Sequence, residues 1–157
     1  MNKMDSVYMS MASLMAGISH GERLKVGAVL VTQNGVVLTG VNGLPRQLGN
    51  ILEEIEYNDG GELSPDYPFE DEYGGDYKLT TRADVIHSEL NCILKAAREG
   101  VSVVGGVLYV THAPCPVCAA MLLQAGISKV AYKHNYRDMS GVGTLRQLIE
   151  VEQYSNE

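Results

Sequence analysis

The chain has no tryptophan, a single phenylalanine (Phe69) and only three cysteines among its 157 residues. Three thiols do not make the paired disulfide framework that staples small secreted folds. Positive charge is also scarce. Lys and Arg number 12 against 19 Asp and Glu, giving a formal net charge of −7 and a pI near 5.0. A surface of that sign repels a phosphate backbone, so a polynucleotide partner is disfavoured. No apolar run approaches the roughly 20 residues of a membrane-spanning helix, and no membrane partner is expected. Residues 1–19 carry a lysine and several apolar side chains, but Asp5 and scattered serines interrupt any signal-like core. A cytoplasmic location is the expectation.

What remains is a globular composition, 45% hydrophobic and 20% charged, in a length that suits one domain over 1–157. Val7, Met11, Leu14, Met15 and Ile18 recur at helical spacing and predict a first helix that ends near His20-Gly21. Val26 to Thr32 and Val36 to Val41 are β-rich runs, and the intervening Asn34-Gly35 supplies the positive φ angles of a tight hairpin. Helices are expected over 85–98 and 115–125, strands over 107–111 and 130–133, and a closing helix over 144–151. The alternation of strand and helix predicts a three-layer α/β/α fold. Its mixed sheet has an N-terminal antiparallel hairpin followed by parallel strands.

The range 47–77 departs from this pattern, with many acids, several Gly and Pro, and no Lys or Arg. It reads as a solvated acidic loop insertion. The alternative is a lid or subunit contact built on Tyr57, Tyr67, Phe69, Tyr73 and Tyr77. Its carboxylates also offer a place for Mg2+ brought by a nucleotide.

The chemistry-bearing residues lie in two short stretches, His87-Ser88-Glu89 and Pro114-Cys115-Pro116-Val117-Cys118. One imidazole and two thiolates suit a tetrahedral zinc with three protein ligands, which leaves the fourth position to water. Such water loses a proton near neutral pH. Glu89, two residues past the histidine, is placed to move protons between that water and a substrate. Cys115 and Cys118 are three apart at a helix start, hence on one face where thiolates form readily. A redox dithiol would explain the cysteines but leaves the His-x-Glu unused. Cys92 falls in an apolar helical run and reads as packing.

Several other residues are candidates for binding. In Asn42-Gly43-Leu44-Pro45-Arg46, Asn42 offers an amide to a sugar hydroxyl and Arg46 a guanidinium to phosphate, although the segment also reads as a plain turn. His112 reads as a pocket-lining or strand-end residue. Arg98 projects to the same side as His87 but about 16 Å further along the helix. It suits a subunit contact or a neighbouring nucleotide site, or else a cation complementing the helix C-terminus.

With these motifs in place, the chain resembles the deoxycytidylate (dCMP) deaminases of the zinc-dependent cytidine deaminase superfamily, especially the bacteriophage and bacterial forms. The resemblance rests on Lys25-Val26-Gly27-Ala28-Val29, Asn42-Gly43-Leu44-Pro45-Arg46, the His87 to Leu94 run and Pro114 to Cys118. The stretches from Leu123 to Ile127 and Lys129 to Tyr132 also fit. It implies hydrolysis of dCMP to dUMP and ammonia, feeding thymidylate synthesis, in a homo-oligomer with a hexamer favoured. It also implies activation by dCTP and inhibition by dTTP. His87, Cys115 and Cys118 would hold one Zn2+ per subunit, Glu89 would shuttle protons, and Asn42, Lys25, Ala113 and Tyr136 would contact substrate. The family usually has alanine where this chain has Ser88. The absence of histidine between Leu79 and Ile86 implies no second, structural zinc.

Rival readings stay open at this stage. Other members of the superfamily act on free cytidine, dCTP, guanine or tRNA adenosine through the same motif. A catalytically silent nucleotide sensor is a rival of another class, against which the intact Glu89 argues.

Overall fold

The computed structural model describes residues 2–60 and 64–154; three residues of the acidic range, 61–63, fall outside them. The chain begins with helix α1 (Lys3–Ala16), followed by strands β1 (Gly27–Val31) and β2 (Val37–Val41) and a 3-10 turn at Arg46–Leu48. Strands β3 (Glu53–Tyr57), β4 (Phe69–Glu70) and β5 (Asp76–Thr81) come next, then α2 (Ser88–Glu99), β6 (Val107–His112), α3 (Pro116–Gln124), β7 (Lys129–His134), α4 (Ser140–Leu145) and β8 (Glu150–Gln153).

Five strands form the central sheet in the order β2-β1-β6-β7-β8. The β1–β2 and β1–β6 pairs are antiparallel and β6–β7–β8 parallel, which is the mixed sheet expected from the sequence. Met9 and Ala12 of α1 pack on one face against Val29, Tyr109 and Ala131. The other face carries the larger core, where Ala28, Leu30, Leu108, Val110 and Val130 meet Cys92, Ala96, Ala119, Leu122 and Leu145. The arrangement is three layers, α/β/α.

Two glycines allow the layers to close. A Cβ on Gly27 would lie 2.1 Å from the Ala12 carbonyl oxygen of α1, and one on Gly40 would lie 2.0 Å from the Ser88 carbonyl oxygen of α2. Close approach of helix backbone to strand requires glycine at each point.

Four expectations are corrected. The first helix starts earlier, with Asn2 as N-cap in a capping box with Asp5. It buries Asp5, Met9 and Ala12, whereas Val7, Leu14 and Ile18 are exposed; small Ala12 lets the backbone approach Gly27, so that stripe faces the sheet. In the hairpin only Gly35 has positive φ, and Thr32 N–H donates to Val36 O across a longer connection than a two-residue turn. The closing helix over 144–151 is instead the end of α4, a turn and the edge strand β8, which Lys129 ties down through Glu150 (2.8 Å) and Glu152 (3.0 Å). The acidic range is no plain loop. Its β3 and β4 pair with β5 in a separate antiparallel sheet, ordered β3-β5-β4. Across that sheet Tyr77 stacks on Phe69, centroids 5.4 Å apart, and meets Tyr57 at a tilt.

Candidate active site

Two helix N-termini deliver the side chains that could hold a metal. His87 is the N-cap of α2 and Cys115 the N-cap of α3, where its sulfur accepts from Cys118 N–H at 3.5 Å. Pro116 follows at the first helical position, where its fixed φ suits the helix and no N–H is missed. The chain continues from β6 through Ala113 and Pro114, so the sheet edge sets the height of Cys115. Gly40 sets that of His87 by letting α2 press on β2.

His87 Nδ1 lies 3.6 Å from Cys115 Sγ and 3.4 Å from Cys118 Sγ. All three ligand atoms lie within 4.8 Å of one another. A tetrahedral zinc bonded to nitrogen at about 2.0–2.1 Å and to sulfur at about 2.3 Å would hold such a pair roughly 3.5 Å apart. The donor set and spacing therefore fit Zn2+. Burial pushes the Cys118 thiol well up, reinforced by the Glu89 charge and by Cys115. Metal ligation reverses that preference, because thiolate binding releases the proton. Cys92 is different: buried against Ala28 and Leu38, it has its thiol pushed up to about 12 by that burial and stands outside the cluster.

Glu89, in the first turn of α2, is 3% exposed and its Oε2 accepts from Ser88 Oγ at 3.0 Å. The α2 dipole favours a negative charge there. His87, Glu89 and Cys115 line a cavity of about 830 Å3 together with Asn42, Ala113 and Tyr136. Asn42 is heavily committed. Its Oδ1 accepts from Ser19 Oγ and Val26 N–H, both at 2.8 Å, and its Nδ2 donates to Leu24 O at 2.9 Å. It braces the 19–26 segment at the cavity edge. His112 also lines the cavity, close to Thr111 Oγ1 at 3.1 Å and with its ring tilted against that of His134; burial, then the neighbouring His134, holds its pKa down and favours the neutral ring.

Lys25, Arg46 and Arg98 are not among the cavity-lining residues. Lys25 and Arg46 are exposed, and Arg98 pairs with its neighbour Glu99 at 2.9 Å. The cations that do line it are Arg23, Lys78 and Arg137, none of them expected from the sequence. The signal available for Arg137 was its place beside Tyr136, over whose ring it lies at 5.6 Å. Nothing local marked Arg23 or Lys78.

The fold and the His-Cys-Cys cluster point to a class of proteins that share a zinc-binding region. Residues 2–134 match the model of the cytidine and deoxycytidylate deaminase zinc-binding region, and the chain belongs to that family. It is 33% identical over 153 residues to the deoxycytidylate deaminase of Saccharomyces cerevisiae, covering 96% of this chain and 45% of that protein. The enzyme of the same name from Schizosaccharomyces pombe is 34% identical over 152 residues, covering 96% and 44%. The chain thus spans just under half the length of these curated relatives. The crystal structure of dCMP deaminase from cyanophage S-TIM5 in complex with dCMP and dUMP superposes with a TM-score of 0.72 at 35% identity, covering 98% of this chain and 99% of that one.

Proposed function

We propose that this protein hydrolyses dCMP to dUMP and ammonia. The observation that carries the reading is the convergence of His87, Cys115 and Cys118 with a buried Glu89 in one cavity of nucleotide size. The likeness to the cyanophage enzyme, whose structure holds dCMP and dUMP, supports the choice of base and sugar. Arg23, Lys78 and Arg137 bring to the cavity the positive charge that a monophosphate calls for.

His87, Cys115 and Cys118 would hold Zn2+, which when bound makes water a nucleophile near neutral pH. Glu89 would take a proton from the water that adds to C4 and deliver it to N3, then take the proton of the resulting C4 hydroxyl and pass it to the departing amine, which leaves as ammonia. The Ser88 hydroxyl keeps one carboxylate oxygen in place during these transfers. The Ala113 carbonyl, free of hydrogen-bond partners among the described residues, accepts from the exocyclic amine. Tyr136 and Asn42 border the sugar and phosphate end, and the neutral His112 ring closes part of the wall. Effector control by dCTP, with Mg2+, and by dTTP, and assembly into a hexamer supplying dUMP for thymidylate synthesis, complete the reading.

Ammonia release by zinc-loaded protein tests it, with dCMP, deoxycytidine and dCTP given separately and with dCTP or dTTP added as effectors. Turnover of dCMP above the other two is the expected result. Turnover of deoxycytidine or dCTP alone would move the substrate, and none with any of the three would overturn the reading.

A further inference from the structure

The acidic insertion does not hang in solvent beside the site. Leu52 and Glu53 at the start of β3, and Lys78, Leu79, Thr80 and Thr81 from β5, line the same cavity as His87 and Glu89. The small sheet is fastened to the main fold by a compact set of bonds around Arg23. Glu53 Oε1 accepts from the backbone N–H groups of Glu22 (3.0 Å) and Arg23 (3.2 Å). Arg23 Nη1 donates to Thr81 Oγ1 at 3.0 Å. Glu53 and Thr81 face each other on one rung of the β3–β5 ladder, so a single rung grips both the backbone and the side chain of this arginine.

The three cavity cations differ in what they already hold. Lys78 is ion-paired with Glu56 at 2.8 Å and lies over the Tyr67 ring at 4.7 Å. Arg137 lies over Tyr136. Arg23 forms no ion pair among the described residues, and only one of its five guanidinium donors is engaged, by a neutral hydroxyl. A guanidinium held in orientation but not neutralised suits two-pronged recognition of phosphate oxygens. Neither Glu53 nor Asp138 on the cavity wall is ion-paired with it: Glu53 Oε1 accepts from the two backbone N–H groups, and Asp138 Oδ1 accepts from Ser140 N–H.

We infer that the inserted sheet sets substrate choice at this site, with Glu53 and Thr81 as positioning residues that aim Arg23 at the 5′-phosphate of a nucleoside monophosphate. The inference rests on the deaminase reading for its substrate, but its test also reads binding alone. The contact of Arg23 with Thr81 would leave the fork free to close on the phosphate while the base reaches Glu89.

The experiment measures kcat and KM for dCMP and for deoxycytidine on the zinc-loaded full chain carrying Glu53→Ala, Thr81→Val or Arg23→Gln. In parallel, calorimetry measures binding of both compounds on a Glu89→Gln background. Each variant is expected to lower the preference for dCMP over deoxycytidine about tenfold or more, mainly through KM and through the affinity for dCMP. Glu53→Gln, which keeps an oxygen for the two N–H groups, and Thr81→Ser, which keeps the hydroxyl, are expected to restore most of it. Arg23 is exposed, so its substitution does not threaten folding. An unchanged preference, or an equal loss for both compounds, would overturn the inference. No turnover by the parent chain, with dCMP still bound more tightly than deoxycytidine through Arg23, would sink the deaminase reading and leave the phosphate site standing.

Discussion

On the α2 and α3 side of the cavity, Ser88 and Cys118 are 0% exposed and Glu89 3%, and His87 and Cys115 beside them are half-buried. On the β3 and β5 side, Leu52 at 2% is the one cavity-lining residue buried to that degree, and Ile55, Tyr57 and Phe69 in the same small sheet are about half exposed. The first wall stands on helix N-termini pressed against the five-stranded sheet. The second is joined to the main fold by a few hydrogen bonds, from the Glu22 and Arg23 N–H groups to Glu53 and from Arg23 to Thr81. Chemistry that needs ligand atoms held to a few tenths of an ångström belongs on the packed wall, where low dielectric strengthens electrostatic effects. Selection of a charged substrate group tolerates a wetter wall, and loops and insertions supply it at little risk to the core.

If the division is right, changes on the two walls differ in kind as well as size. The largest effect is expected from Glu89→Gln, a fall in kcat of about 10²–10⁴-fold from loss of the proton shuttle, with zinc content unchanged by metal analysis. Cys115→Ser on the same wall should show the opposite signature, losing the metal itself and melting at lower temperature. A metal-replete Cys115→Ser chain would break the assignment. Next comes Gly40→Ala, whose Cβ would meet Ser88 O at 2.0 Å and Cys92 Sγ at 2.9 Å. Pushing α2 off β2 should cost about 1–3 kcal/mol in denaturant unfolding and lower turnover as well, since Ser88 neighbours both His87 and Glu89. An active Gly40→Ala chain of parent stability would show that the packed wall is less rigid than its burial implies.

The smallest effect concerns acid. The Asp71 carboxyl is held below its ordinary value by the N–H groups of Gly75 and Tyr73, helped by the Tyr57 hydroxyl. A depressed carboxylate adds stability that is fully present above its unfolded pKa and is lost as pH falls through the lower folded value. Between about pH 5 and 3, amide protection at Tyr73 and Gly75 should weaken before that of β1 and β6 does, and Asp71→Asn should remove the pH dependence. Simultaneous loss across both sheets would mean that the insertion does not open separately.

How much of this was legible beforehand follows the range of the interactions. His87, Glu89, Cys115 and Cys118 could be read directly, because the spacing of each motif is met within one helical turn. The mixed sheet was legible from the order of apolar runs. The strand β8 was not. Leu145, Leu148, Ile149 and Val151 suggest a helix, yet only a parallel partner and the Lys129 ion pairs decide in favour of a strand. Likewise the sequence offers the Arg46 guanidinium to phosphate and Lys25 to substrate, while nothing local marks Arg23, which lines the cavity that the other two do not.

The sequence by itself determined which residues gather in the His87, Cys115 and Cys118 cluster with Glu89 beside it, and the layered α/β architecture, since each depends on residues near one another or on hydrophobic periodicity. Only the tertiary structure decided that the small β3-β5-β4 sheet brings Leu52, Glu53 and 78–81 to the cavity wall, which face of α1 is buried, and which cations reach the site. Those outcomes rest on contacts such as Arg23 with Thr81, 58 residues apart. No local pattern encodes such a pairing, because its geometry exists only once both sheets have formed and docked.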